Sequence, residues 1–233
     1  MQEPNQEARL MAVAALGDPV RRTLYELLRR SPGSMSRDEL AGSAGIPRST
    51  AAVQLERLVA SGLLSTENRK LSGRSGPGSG RPARLYRTVL PEVAVSVPER
   101  AYDLAARLMA AAIEKSSADG TPVRDTLEQV AFEAGNELGS AAGRIDGMLA
   151  QTGYSPEPDG QGGYILGNCP FHRLAHRHRD VVCGLSAALL AGALSGCADE
   201  LHQVSSDPDG PYCCARIARS PTLLGPAALE PKL

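Results

Sequence analysis

Residues 40–64 read LAGSAGIPRSTAAVQLERLVASGLL, and the punctuation of this stretch decides the fold of the first third of the chain. Gly45-Ile46-Pro47 is a tight turn between two helical patterns. Before it, Ser36 with Glu39 three residues later makes a capping box, opening a short helix whose apolar members are Leu40, Ala41 and Ala44. After it, a helix is expected from about Arg48 to Ser61, with Ala51, Leu55, Leu58 and Val59 on one apolar face. Arg48, Ser49, Thr50, Val53, Gln54 and Arg57 remain for the other side. Two short helices joined by such a turn can place the second in a major groove. Its first turn can also offer backbone N–H groups to a phosphate.

Working outward, Asp18-Pro19 is an N-cap and first-turn pair, and Val20, Leu24, Leu27 and Leu28 recur at helical spacing until Ser31-Pro32-Gly33. Downstream, two strand-like runs, from Leu63 and from Arg84, flank a flexible tip. Arg69, Lys70, Arg74, Arg81 and Arg84 make this hairpin a cationic wing, suited to phosphates and so to salt-dependent binding with little sequence information. Residues 40–64 together with the RPARLYR strand (81–87) resemble the winged helix-turn-helix of bacterial transcriptional regulators near the ArsR and MarR groups. That resemblance implies a double-stranded DNA operator and a homodimer reading two half-sites, with Arg48, Ser49, Thr50, Gln54, Arg57, Arg69, Lys70, Arg74, Arg81 and Arg84 as candidate DNA contacts.

Charge agrees with a divided chain. The formal net charge is -1, but residues 18–90 hold 13 Lys and Arg against 6 Asp and Glu, a net of +7, and the remainder carries 12 against 20, a net of -8. No apolar run approaches the roughly 18 residues of a membrane helix. The polar, acidic start Met1–Gln6 leads to the expectation of a cytoplasmic protein.

In the middle, Pro98-Glu99 and Thr121-Pro122 open two helices. The second carries Gly135, Gly139, Gly143 and Gly147 at every fourth position. Inside a helix each glycine costs about 1 kcal/mol relative to alanine, so the row predicts close approach of a partner helix, expected across a dimer interface.

All five cysteines lie between Cys169 and Cys214. A cytoplasmic setting argues against disulfides, and without a CxxC pair the zinc-ribbon spacing fails. Tyr164–Leu166 reads as a strand delivering Asn168-Cys169-Pro170-Phe171. A short basic helix with His172, His176 and His178 follows, then an apolar helix from about Gly184 to Ser195, and strands at 200–205 and 212–217. If Cys183 to Cys197 is one helix, their backbones stand roughly 21 Å apart, too far for one small cluster. Cys169, Cys183 and one of Cys213 and Cys214 are therefore the preferred ligands. A strand would turn the adjacent pair to opposite faces, with Cys213 inward. The fourth position is open between Cys197, the other thiol of the pair, His172, His176 and an exchangeable small ligand.

The run NCPFHRLAHRHRDVVCGLSAALLAGALSG (168–196), ending in a turn and a cysteine strand, is similar to the C-terminal half of SufR-type repressors of iron-sulfur assembly genes. That resemblance implies a [4Fe-4S] cluster as sensor, with the cluster-bound form binding DNA more tightly. The expectation is an α+β protein with a winged helix-turn-helix at 8–90, dimerisation helices at 91–152, a cysteine-rich sensor at 153–220 and a disordered tail at 221–233. It would be a non-enzymatic repressor sensing iron-sulfur or redox status. The alternatives are a zinc or other metal-responsive ArsR-like repressor, and a thiol-dependent redox enzyme.

Overall fold

The computed structural model describes residues 5–69, 83–89, 92–207, 210 and 212–220. Lys70, Arg74 and Arg81, and the expected tail at 221–233, lie outside the described residues. The chain divides into two compact units, 1–95 and 96–233. The central helices and the cysteine segment, expected as separate parts, share one hydrophobic core in the second.

The first unit holds α1 (Gln6–Ala15), α2 (Pro19–Arg30), β1 (Met35–Ser36), α3 (Arg37–Ala44), α4 (Arg48–Ala60), β2 (Leu64–Arg69) and β3 (Ala83–Thr88). Its local rules are those of the sequence. The Asp18 carboxylate accepts from Val20 N and Arg21 N at 2.9 and 3.0 Å, with Pro19 in the first turn of α2. Both halves of the Ser36–Glu39 capping box are made, and Gly45 ends α3 at φ +65°, a conformation that costs glycine little. Leu24, Leu28, Leu40, Ala51, Leu55 and Leu58 are buried in one core. The strands form an antiparallel sheet in the order β1-β3-β2, with Leu64 opposite Thr88 and Arg69 opposite Ala83. Helix α1 has no counterpart in the sequence reading; of its residues only Ala12 is buried, so its apolar periodicity is faint.

The second unit contains α5 (Tyr102–Asp119), α6 (Val123–Ala142), α7 (Ile145–Gln151), β4 (Pro156–Pro158), β5 (Tyr164–Leu166), α8 (His172–Ala175), α9 (Arg179–Gly196), β6 (His202–Ser206) and β7 (Ala215–Arg219). The strands form a second antiparallel sheet in the order β4-β5-β7-β6. By length and composition α9 could cross a bilayer, yet 44% of it is buried within the unit, and it serves as the core helix.

The partner of the glycine row is in the same chain. A Cβ on Gly135 would fall on the Leu189 carbonyl and one on Gly139 on that of Ala193; Gly192 and Gly196 of α9 stand in the same relation to Phe132 and Asn136. Both numberings rise together, so α6 and α9 run parallel, backbone against backbone. The row therefore reports an internal contact rather than one between two copies. Gly143 instead ends α6 at φ +71°, and Gly147 sits in α7 with open space around it.

Candidate functional site

In the first unit α4 presents the candidate reading face. Its apolar members Ala51, Leu55 and Leu58 are fully buried, which turns Arg48, Ser49, Val53 and Arg57 outward and leaves Thr50 half-buried. Pro47 precedes α4 and supplies no side-chain cap, so the first-turn N–H groups carry no side-chain partner. Arg48 makes one loose, exposed ion pair with Asp38 at 3.4 Å. Val53, half exposed, is an apolar group of the kind that meets a thymine methyl.

Two candidate contacts are already engaged. The Gln54 side chain accepts from Arg21 Nη1 at 3.1 Å, which ties it to α2. Arg84 makes a two-pronged pair with Glu56 at 2.9 and 3.1 Å and stacks 5.5 Å from the Tyr86 ring centre. Tyr86 donates its hydroxyl to Glu56 at 3.1 Å, and burial, with Glu56 beside it, raises its pKa. Glu56 therefore fastens β3 to α4, a role absent from the sequence reading. Arg69 and Arg57 are exposed, and Arg57 also borders a cleft between α1 and α4.

In the second unit a cavity of about 360 Å³ is lined by Cys169, His172, His176, Arg179, Cys183, Cys213 and Cys214, among others. Four cysteines from three separate segments thus meet. Strand β7 begins only at Ala215, so Cys213 and Cys214 are not in extended alternation and both line the cavity; the expectation that a strand would turn one away is corrected. Helix α9 runs unbroken to Gly196 and carries Cys197 to its far end, where the thiol donates to Gly139 O at 3.3 Å, outside the cavity.

Cys183 and Cys214 are joined as a disulfide, with Cα atoms 6.7 Å apart, against the expectation of none. Cys169 and Cys213 are buried thiols. The Cys213 hydrogen bond to Cys169, helped by the Phe171 N–H and the Arg100 charge, lowers the Cys169 pKa against the opposing effect of burial. The Cys213 pKa is raised by that same bond and by burial. Burial, then Asp199 and Asp146, raises the Cys197 thiol as well. Among the described residues no group of three or more His, Cys, Asp and Glu side chains stands arranged to hold a metal ion. With two of the four sulfurs bonded to each other, a four-thiolate donor set exists only after that bond is reduced.

The sequence reading missed the groups that hold the cavity in place. Arg100 Nη1 donates to Asn168 Oδ1 and, at 2.9 Å, to Cys169 O. The Asn168 amide donates to Glu99 O at 2.8 Å and Gly153 O at 2.6 Å. Buried Tyr154, its pKa raised by burial, shares a 2.7 Å hydrogen bond with Ser186. No spacing rule links residue 100 to residue 168; only the folded chain does.

Residues 16–67 match the family model described as a helix-turn-helix domain. No curated protein and no solved structure matches the chain significantly. The family match spans α2, α3 and α4 and the first residues of β2, the elements that build the reading face. Residues 16–67 are thus a helix-turn-helix domain, with the β2–β3 hairpin beside it, and this indicates a DNA-binding transcriptional regulator.

Proposed function

We propose that the chain is a dimeric, cytoplasmic repressor that senses iron-sulfur or redox status, of the SufR kind. The observation that carries this reading is the convergence of Cys169, Cys183, Cys213 and Cys214 on one cavity in a chain whose other unit is a DNA-binding domain. The donor set fits a [4Fe-4S] cluster: four sulfurs are what such a cluster takes, and they arrive from separate segments, as a ligand set needing only to converge in space can. These four cysteines would hold the cluster once the Cys183–Cys214 pair is reduced, and Cys197 would stay out. When bound, the cluster supplies one-electron redox chemistry and lability toward oxidants. The chain's own part is mechanical. Holding the sulfurs joins the 169 loop, the start of α9 and the segment before β7 into one body. The change in DNA affinity can be no larger than the resulting differential stabilisation of the two states.

A second reading, a zinc or other metal-responsive repressor, gains from His172 and His176, which line the same cavity and could complete a mixed thiolate and imidazole set. Purification without oxygen separates the two readings. A brown protein with iron and acid-labile sulfide is expected; a colourless protein holding stoichiometric zinc would replace the first reading by the second. Turnover of a thiol substrate without DNA retention at low salt would favour the enzyme alternative.

A further inference from the structure

We propose that Arg100 and Asn168 are positioning residues that tie the state of the cysteine cavity to the segment by which the chain enters its second unit. The inference rests on the reading that the cavity is loaded through its cysteines. Three chain segments meet behind Cys169. From the first, Arg100 Nη1 donates to the Asn168 side chain and the Cys169 carbonyl, and Ala101 N donates to Pro170 O at 3.1 Å. From the second, Gly153 O accepts the Asn168 amide, and Tyr154 O accepts Asn168 N at 3.1 Å. The third, Asn168 to Pro170, is thereby gripped on both sides of the cysteine. Gly153, at φ +83°, leaves no spare room: a Cβ there would stand 3.2 Å from Glu99 Cγ.

Asn168 is only 8% exposed and spends both amide hydrogens on carbonyls of two different segments, so it sets the spacing between them. The second unit begins at Ser96, a few residues before this grip. Arg100 adds a charge argument. Its hydrogen bonds go to uncharged oxygens, Glu99 O, Asn168 Oδ1 and Cys169 O, and among the described residues no carboxylate pairs with it. Cysteines that bind a metal or cluster are deprotonated, so a loaded cavity sets negative charge beside this cation. What tightens the loop on Arg100 tightens Arg100 on the loop, since coupling between sites is reciprocal. Residues 99–101 are then the first part of the unit to register a change at Cys169.

The test is amide hydrogen exchange of the full-length chain, compared with and without loading, in wild type, Arg100→Ala, Asn168→Ala and Arg100→Lys. Two loads are used: anaerobic reconstitution with iron and sulfide, and cadmium ion on the reduced chain, which binds thiolates without sulfide. Loading wild type is expected to slow exchange at 101–105 by about fivefold or more, the lower end of ordinary coupling, together with exchange near 169. Arg100→Ala and Asn168→Ala should keep protection near 169 and lose it at 101–105, and Arg100→Lys should restore part of it. Thermal unfolding identifies folded variants; if Arg100→Ala does not fold, Asn168→Ala and Arg100→Lys carry the comparison. Cadmium-induced protection in a wild type that takes up no cluster would support the coupling while removing the iron-sulfur reading. Unchanged exchange at 101–105 on loading, or protection there that survives both alanine variants, overturns the coupling. A chain that binds neither load overturns both.

Discussion

Gly139 on α6 lies against the Ala193 backbone on α9, with the Ala193 Cα 3.0 Å from where a Cβ would stand. The obstacle is backbone, which cannot swing aside as a side chain would. Overpacking costs about 1–3 kcal/mol, and the rigid partner puts Gly139→Ala at the upper end, against a helix-propensity gain of about 1 kcal/mol. The expected net is a loss of about 2 kcal/mol. Gly147, with open space in α7, should respond oppositely, Gly147→Ala gaining about 0.5–1 kcal/mol. Urea unfolding followed through exchange of α6 amides checks both. Alanine tolerated at 139, with Gly139→Ala changing stability in the same direction as Gly147→Ala, would mean that the helices are not in contact.

The Ser36–Glu39 capping box gives a pH-dependent expectation. The Ser36 backbone N–H and hydroxyl hold the Glu39 carboxyl below its usual range. A depressed carboxyl stabilises the fold above its unfolded-chain value, about 4.3, and loses that contribution as pH falls through the folded value. The stability advantage of wild type over Glu39→Gln should be constant from about pH 7 to 5 and vanish in acid below about pH 4.3. Ser36→Ala should cost about 1 kcal/mol. Thermal unfolding across that pH series reads both; an advantage that grows in acid would contradict the assignment.

On DNA, Arg48 and Arg84 should behave differently. Arg48 is exposed and only loosely paired to Asp38, so Arg48→Ala should weaken binding to a cognate operator more than to unrelated sequence. Arg84 is held by Glu56, which offsets its charge. Glu56→Gln should therefore release it and steepen the salt dependence by up to about one unit of slope. Fluorescence anisotropy titrations at several salt concentrations measure this. An unchanged slope would show that Arg84 does not reach a phosphate.

For the cysteines, Cys197→Ser should retain iron and sulfide at the wild-type level after anaerobic reconstitution. Serine at 169, 183, 213 or 214 should lower both. Iron loss in Cys197→Ser equal to that in Cys183→Ser would require α9 to break, contrary to its continuous course.

Most of the first unit could be read from sequence because its rules are local: Asp18-Pro19, the capping box and Gly45 each act within a few residues, and Leu24 with Leu28 in α2, and Ala51 with Leu55 and Leu58 in α4, repeat at helical spacing. The distance argument along α9 separated Cys197 from Cys183 for the same reason. What could not be read was non-local. The glycine row promised a close partner without saying which, and the partner was α9. Cys213 and Cys214 were assigned to a strand by their neighbours Tyr212 and Ile217, whereas pairing begins two residues later, at Ala215. Arg100 carries no motif at all.

The parallel course of α6 and α9 also bears on how the second unit comes together. Ser140 and Gly196, hydrogen-bonded at 3.2 Å, are 56 residues apart in sequence. Two helices running the same way cannot close by a short turn, so the intervening chain must travel back the length of a helix before either backbone finds the other. Loop-closure entropy has to be met before the α6–α9 contact returns any energy, whereas α2, α3 and α4 are joined by short turns. During synthesis the DNA-reading unit emerges first and completes its core from neighbouring segments. The cysteine-bearing unit can close only once its last core helix has been made, so it is the late-assembling half of the molecule.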